Sequence, residues 1–130
     1  SNELIKLSEI NIENVQGLFS KSDVSTIQNT IEQVTLDDSL VGYIANITQE
    51  TRAHGKLYLG GSPRASLSMM KTSKAIAAMK GRDFVIPDDV QYVAFHVLNH
   101  RIILTPEAEM EGMDASTIIQ EIIQKVEVPR

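Results

Sequence analysis

Residues 62–81 read SPRASLSMMKTSKAIAAMKG and form the best-defined helical segment of the 130-residue sequence. Serine followed by proline is a favourable helix start, because proline already has a helical φ and the first N–H groups of a helix need no backbone partner. A glycine such as Gly81 commonly ends a helix in a left-handed conformation. The segment therefore predicts one helix. Its expected inward-facing or small residues are Met69, Met70, Ile76, Ala77, Ala65, Ala75 and Ala78.

Apolar residues recur at helical spacing in four further stretches, two before this segment and two after it. Asp37 and Asp38, Pro87, and Asp114 stand where three of these helices are expected to begin. We therefore predict an all-α fold of five helices, with a brief extended segment at residues 34–36 and a glycine-rich loop at residues 54–61. The four apolar stripes are Val24, Ile27, Ile31 and Val34; Leu40, Ile44 and Ile47, with Val41 and Ala45 beside them; Val90, Val93, Ala94, Val97 and Leu98; and Ile118, Ile119, Ile122, Ile123 and Val126.

Composition favours one domain that stays in a reducing aqueous compartment. Hydrophobic residues make up 42% of the chain, which is enough for a compact core, and cysteine is absent. No run of about 18 apolar residues could span a bilayer, and the polar start does not resemble a signal peptide, so we expect a cytoplasmic protein. The net charge of −5 opposes binding to nucleic acid. Residues 1–19 are irregular and are expected to be a connector that leads into a helical domain at residues 20–130.

The sharpest local feature is Gly60-Gly61-Ser62-Pro63-Arg64, which places a cation in the first turn of a helix. The helix dipole favours an anion there, and free N–H groups at a helix start bind phosphate. Arginine beside them can donate paired hydrogen bonds to phosphate oxygens, while two glycines let the backbone approach closely. The alternative is an ordinary capped helix with an arginine that faces solvent.

A longer pattern resembles the lid subdomain of MoxR-family AAA+ ATPases. It combines LGGSPRASL at residues 59–67 with GRDFVIPDDV at residues 81–90, and continues through VLNHRI at residues 97–102 and LTPEAE at residues 104–109. The resemblance extends over about residues 35–112, and several ordered motifs are more specific than one glycine-rich turn. It implies a lid-type helical bundle, preceded by a connector from an ATPase core.

By this resemblance, Ser-Pro-Arg is the second sensor motif, and Arg64 is the residue that senses the phosphates of the nucleotide. Gly60, Gly61, Ser62 and Pro63 are then close to the nucleotide, and ATP and Mg²⁺ are the expected cofactors of the parent protein. The implied partners are the AAA+ core of the same chain, neighbouring subunits of a hexameric ring and an unidentified client, with no nucleic acid and no membrane insertion. The resemblance implies a chaperone-like machine that assembles complexes. It leaves open whether Arg64 acts on its own subunit or on a neighbour.

The groups that would hydrolyse ATP are missing from this sequence. It contains no G-x-x-x-x-G-K-[ST] phosphate loop and no apolar strand that ends in a paired Asp-Glu, so we expect no hydrolysis and no tight nucleotide binding by the chain alone. Ser1-Asn2 fits a cloning remnant, since Ser1 is not an initiator methionine. These features predict one part of a larger enzyme.

Other charged residues have structural interpretations that compete with functional ones. His96 and His100 have the spacing of metal ligands, but His54 is distant and no H-E-x-x-H pattern exists, so we expect packing and no metal. The Asp37-Asp38 and Asp88-Asp89 pairs are expected to cap helices. Arg52, Arg82 and Arg101 could contact the ATPase core, a neighbouring subunit or a surface carboxylate. Glu107, Glu109 and Glu111 are expected to form a solvated surface.

A different class of function remains open at this stage. A free-standing helical adaptor would bind a partner helix in an apolar groove without any nucleotide. The two hypotheses differ at Arg64, because only the lid hypothesis predicts that its substitution alters the response to nucleotide. A DNA-binding helical domain is disfavoured by the acidic charge.

Overall fold

A computed structural model describes residues 21–59 and 62–129. These residues contain six helices and two three-residue strands, so the predicted all-α class is confirmed. The connector predicted at residues 1–19 lies outside the described residues and stays a prediction. The elements are α1 Lys21–Glu32, α2 Asp38–Ala53, β1 Leu57–Leu59, α3 Ser62–Met79, α4 Pro87–Arg101, β2 Ile102–Leu104, α5 Pro106–Met110 and α6 Ala115–Lys125.

The two strands were not predicted, and they correct the expectation of a plain loop at residues 54–61. β1 and β2 pair antiparallel, with Tyr58 opposite Ile103 and Leu57 opposite Leu104. The Thr105 N–H also donates to the Lys56 carbonyl oxygen at 3.0 Å. Three residues are too few for an alternating pattern to be recognised in a sequence, which is why this ribbon was missed.

The short helix α5 is the second addition to the prediction. Thr105 caps its start by accepting a hydrogen bond from the Ala108 N–H at 3.3 Å, and Pro106 follows in the first turn. Gly112 has a φ of +75° and ends it. The cap, the proline and the glycine are all visible in the sequence, but five residues provide no helical periodicity.

The core lies between four helices. α2 and α4 contact each other, and both contact α3 and α6, while α1 packs against α3. The stripes predicted for the last two long helices are buried, as is the predicted stripe of Leu40, Ile44 and Ile47 in α2. Val41 and Ala45, which were expected beside that stripe, are exposed, and Tyr43 belongs to the buried face instead. Ile27 of α1 is also exposed. Aliphatic packing between α3, α4, α2 and α6 therefore holds the domain together.

The predicted extended segment at residues 34–36 forms one bridge with the link between α3 and α4. Thr35 pairs in parallel with Phe84. The Thr35 N–H donates to the Asp83 carbonyl oxygen at 2.8 Å, and the Val85 N–H donates to the Thr35 carbonyl oxygen at 2.9 Å. This bridge joins the α1–α2 link to the α3–α4 link.

Gly81 ends α3 as predicted. Its φ is +77°, its N–H donates to the Ala78 carbonyl oxygen at 3.0 Å, and the Arg82 N–H donates to the Ala77 carbonyl oxygen at 2.9 Å. This pair of bonds is the Schellman motif, which satisfies carbonyl groups that the helix leaves open.

Gly81→Ala is expected to lower the free energy of unfolding by about 1 kcal/mol, because a side chain disfavours positive φ. A Cβ at this position would meet no other atom within 4 Å, so the cost is a backbone cost. Gly42 provides a matched control within α2, where a Cβ also meets nothing within 4 Å. Gly42→Ala is expected to raise the free energy by about 0.5–1 kcal/mol, as measured by urea unfolding. Equal effects at both positions would contradict this account.

Candidate functional site

Arg64 lies in the first turn of α3, and its side chain is exposed. Within the described residues it makes no hydrogen bond or ion pair with another part of the chain. The first turn of α3 contains no acidic residue to occupy the guanidinium group. The arginine therefore presents its donors to whatever approaches this end of the helix.

The backbone that carries Arg64 is firmly held. Ala65 follows it directly and is fully buried, as is Met69 one turn later. On the neighbouring face of the helix, Ser66 Oγ donates to Thr48 Oγ1 of α2 at 3.2 Å. These contacts fix the start of α3 on the core while the Arg64 side chain stays free to bind.

Two threonines of α2 are buried, and one of them, Thr48, is the partner of Ser66. Thr48 Oγ1 donates to the Ile44 carbonyl oxygen, and Thr51 Oγ1 donates to the Ile47 carbonyl oxygen, each at 2.9 Å. Because the backbone satisfies these hydroxyl protons, the threonines can lie in the core without an unpaired donor. Neither threonine was predicted to be buried, although Thr51 continues the buried spacing of Ile44 and Ile47.

The other predicted site residues are placed only in part. The backbone of Ser62 and Pro63 begins α3, which puts both beside Arg64 at the helix start. Gly60 and Gly61 lie outside the described residues, so their closeness to a nucleotide stays a prediction. Helix geometry thus brings Ser62, Pro63 and Arg64 into one turn, and a helix start beside a guanidinium is a favourable place for an anion.

Among the candidate contact arginines, Arg82 has a partner within the chain. Its Nη1 and Nη2 donate to the two carboxylate oxygens of Asp89, each at 2.7 Å, and Nη1 also donates to the Phe84 carbonyl oxygen at 3.1 Å. The Asp89 side chain is completely buried. For Arg82 the structure therefore shows a salt bridge within the chain. Of the other two candidates, Arg52 is exposed and Arg101 is half-buried, each at the end of its helix.

Asp89 also caps the start of α4, as predicted for the Asp88-Asp89 pair. It accepts a hydrogen bond from the Ile86 N–H at 3.0 Å at the start of α4. Burial by itself raises the pKa of Asp89, but the hydrogen bonds from Arg82 and Ile86 outweigh it and hold that pKa below its ordinary value. At α2, Asp37 accepts from both the N–H and the hydroxyl of Ser39, and these bonds lower its pKa.

The histidines have packing and turn contacts. The ring of His96 lies edge-on to Tyr92 and Phe95, with centroids 4.8 and 5.2 Å away, and burial lowers its pKa. His54 Nδ1 accepts a hydrogen bond from the Lys56 N–H at 3.2 Å. Among residues 21–59 and 62–129, no group of three or more His, Asp or Glu side chains could hold a metal ion.

None of the helices in the described part of the chain is both long enough and apolar enough to span a membrane.

The chemistry assembled here is an exposed arginine at a firmly supported helix start. It suits an anionic ligand that arrives from outside the domain.

Comparison with known proteins identifies the family of this chain. The AAA lid domain family matches residues 49–122, which include α3 and α4 in full. YeaC, an uncharacterized protein of Bacillus subtilis, is 44% identical over 91% of this chain and 37% of its own length. The chaperone MoxR1 of Mycobacterium tuberculosis is 30% identical over 87% of this chain and 32% of its own length.

A solved structure has the same fold. The crystal structure of a candidate ATPase from Cytophaga hutchinsonii superposes with a TM-score of 0.72 at 39% identity, covering 85% of this chain and 36% of that one. The chain spans about a third of the length of the relatives it matches. Since the family match covers more than half of the sequence, the chain belongs to the AAA lid domain family and is a lid of the MoxR type.

Proposed function

We propose that this lid couples ATP binding and hydrolysis in its parent protein to conformational change, with Arg64 as the nucleotide sensor. The supporting observation is the exposed Arg64 side chain on a helix start that Ala65, Met69 and Ser66 hold against the core. An exposed side chain on a helix start that is packed against the core can bind a phosphate and transmit the effect to the whole domain. The resemblance to relatives with ATPase and chaperone names supports the same function.

The physical basis is a difference in contact energy between two nucleotide states. A guanidinium can donate two parallel hydrogen bonds to the oxygens of a terminal phosphate, and hydrolysis removes part of that partner. A ligand shifts a conformational equilibrium only by its differential affinity for the two states, and the Arg64 contact would provide such a difference. The lid would then close on the core with ATP and open after hydrolysis.

The proposal includes partners that lie outside this chain. They are the AAA+ core of the parent, which would hold ATP and Mg²⁺, and neighbouring subunits of a hexameric ring. Residues 1–19 would connect the core to the lid formed by residues 20–130. The assembly would act on a client protein in the cytoplasm, as a chaperone-like machine that assembles complexes.

Arg64→Ala in the full-length parent is expected to reduce or deregulate ATP turnover about 10-fold or more, because a charge-assisted pair with the phosphates is lost. Turnover, nucleotide affinity and ring assembly should be measured together. The thermal midpoint is expected to stay unchanged, since Arg64 is exposed and has no partner within the described residues. Arg64→Lys should recover only part of the activity, because an ammonium group cannot make the paired bonds.

Lys80→Ala is the matched control, because it removes an exposed cation just beyond the opposite end of the same helix. It is expected to leave turnover unchanged. If Arg64→Ala leaves turnover, affinity and assembly as they are, the sensor role is wrong and the adaptor hypothesis gains support. If both variants reduce turnover equally, general surface charge explains the effect and the specific role of Arg64 fails.

A further inference from the structure

The outer face of the β1–β2 ribbon is apolar and open to solvent. Tyr58 and Ile103 lie directly opposite each other in the two strands, and they are 62% and 67% exposed. Side chains alternate between the two faces of a strand, so the inner face of β1 carries Leu57 instead, which is buried in the core. The ribbon therefore displays two large apolar side chains that the core does not use.

The short helix α5 extends this apolar surface. The Thr105 N–H donates to the Lys56 carbonyl oxygen at 3.0 Å, and Lys56 Nζ lies 3.7 Å from a carboxylate oxygen of Glu111. Because Lys56 and Tyr58 are two residues apart, their side chains share the outer face of the ribbon. The ion pair with Lys56 thus brings the end of α5 to that face. Met110, which precedes Glu111, is 89% exposed there.

Three exposed side chains, Tyr58, Ile103 and Met110, form what we call the apolar patch, and its border is acidic. Glu107 and Glu109 of α5 are exposed, and within the described residues neither forms an ion pair. Apolar side chains scattered singly over a surface need no partner, but a contiguous group with a polar rim marks an interaction site. Tyrosine and methionine are also enriched at protein interfaces. The patch therefore suits a partner that is both apolar and cationic.

We propose that the apolar patch binds a segment of another protein that combines apolar side chains with lysine or arginine. The apolar side chains would cover Tyr58, Ile103 and Met110, and the cations would pair with Glu107 and Glu109. The unpaired charge of the border favours this partner, because an acidic or neutral segment would gain no such pairing. This contact is independent of nucleotide sensing, since none of its residues lies in α3.

Binding of defined peptides tests the chemistry of the partner. The probe is a short fluorescent peptide that contains leucine and arginine in equal numbers, and fluorescence anisotropy follows its binding to the chain. Its affinity should fall about tenfold between about 50 mM and 0.5 M salt, because screening weakens pairs of exposed charges. Peptides with glutamate in place of arginine, or serine in place of leucine, should bind at least about tenfold more weakly. Equal binding of the three peptides, or no binding in low salt, would overturn the proposal.

Two neutralised variants test whether the acidic border attracts the probe. Glu107→Gln/Glu109→Gln should weaken binding of the leucine–arginine peptide about tenfold, because the cations lose their partners. Glu121→Gln/Glu127→Gln is the matched control, since it removes the same charge from exposed positions in and just after α6, and it should leave binding unchanged. Equal losses in both variants would mean that the overall charge of −5 attracts the peptide, and the assignment to α5 would then fail.

Two further substitutions test the apolar part of the contact. Met110→Ser and Ile103→Thr should each weaken the leucine–arginine peptide several-fold, because less apolar area is buried in the complex. Threonine preserves the branched shape that a strand favours, and the thermal midpoint shows whether each variant folds. Met79→Ser is the control at the end of α3, where Met79 is 65% exposed. If Met79→Ser weakens binding as much as Met110→Ser does, the apolar patch is not the site.

Two other occupants of the patch would give different results. If a second copy of the chain covers it, sedimentation velocity will show self-association that Met110→Ser abolishes. If the core of the parent covers it, the full-length parent will not bind the peptide that the isolated chain binds. Either result would overturn the proposal. Arg64→Ala should bind the peptide like the unaltered chain, so a failure of the nucleotide-sensing role leaves this contact untouched.

Discussion

Asp89→Ala is expected to lower the free energy of unfolding by about 2–3 kcal/mol, because it removes three charge-assisted hydrogen bonds at the junction of α3 and α4. Arg82 donates two of these bonds at 2.7 Å, and the Ile86 N–H donates the third at 3.0 Å. The carboxylate is completely buried, so water does not compete for these donors. Urea unfolding followed by circular dichroism at pH 7 measures the change.

Asp88→Ala provides the matched control one position earlier. Asp88 is exposed in the same first turn of α4, and its loss is expected to change the free energy of unfolding by no more than about 0.5 kcal/mol. Asp89→Asn preserves the shape of the side chain and should recover part of the loss, since an amide oxygen can still accept from the Ile86 N–H. Equal losses for Asp88→Ala and Asp89→Ala would show that helix-dipole charge alone explains the effect.

The pH dependence of this pair follows from the lowered pKa of Asp89. A carboxyl whose pKa is lower in the folded state contributes its stability above the unfolded value of about 4, and that contribution is lost as the pH falls through the folded pKa. The difference in stability between the unaltered chain and Asp89→Asn should therefore be constant near neutrality and shrink below about pH 4. A difference that grows with acidification would contradict the assignment.

Leu98→Ala is expected to lower the free energy of unfolding by about 3 kcal/mol, through lost burial and the cavity left behind. Leu98 is 0% exposed and belongs to the central core, in which α4 packs against α3 and α6. A domain of this size has a total stability of about 5–15 kcal/mol, so this single change removes a large share of it. The thermal midpoint and the urea midpoint should both fall.

Leu67→Ala makes the same chemical change on a surface that is 52% exposed. Its effect on the free energy of unfolding is expected to stay within about 0.5 kcal/mol, because alanine favours the helix and little buried area is lost. Because Leu98→Ala and Leu67→Ala remove the same atoms, the difference between their effects on the free energy of unfolding measures the effect of burial. If both leucines prove equally sensitive, then Leu67 is covered in solution.

Much of this architecture could be predicted because its signals are local and repeated. The stripe from Val90 to Leu98 and the stripe from Ile118 to Val126 each span several turns, and both are buried as expected. Gly81 and Asp114 mark helix ends through their own backbone and side-chain chemistry, and the structure places them there. Such features depend little on the rest of the fold.

The features that were missed depend on contacts between distant segments. The β1–β2 ribbon needs residues 57–59 and 102–104 to meet, and neither strand is long enough to show a period of two. The pairing of Arg82 with Asp89 depends on how the link between α3 and α4 bends, so spacing alone could not separate it from an outward-facing arginine. Val41 and Ala45 were misplaced because helical spacing does not define the edge of a buried face.

The candidate site was predicted only through a resemblance. Residue chemistry alone indicates an arginine at a helix start and leaves a solvent-facing role open, which is also how the structure places Arg64. The support from Thr48 and Ser66 could not be foreseen, because a hydroxyl pair 18 residues apart leaves no pattern in the sequence.

Because α3 is long, a small rotation of the domain can move Arg64 by several ångströms. From Arg64 to Gly81 the helix axis covers about 25 Å at 1.5 Å per residue. Three contacts hold the far end of α3 on the bundle: the Schellman turn, the Arg82–Asp89 pair and the Thr35 bridge. We therefore expect α3 to move together with the whole bundle. If the whole domain rotates by about 10° around a point that lies about 25 Å from Arg64, the arginine moves by about 4 Å, which exceeds the length of a hydrogen bond. If Arg64 binds a phosphate as we propose, a modest tilt of the lid would be enough to make or break that contact.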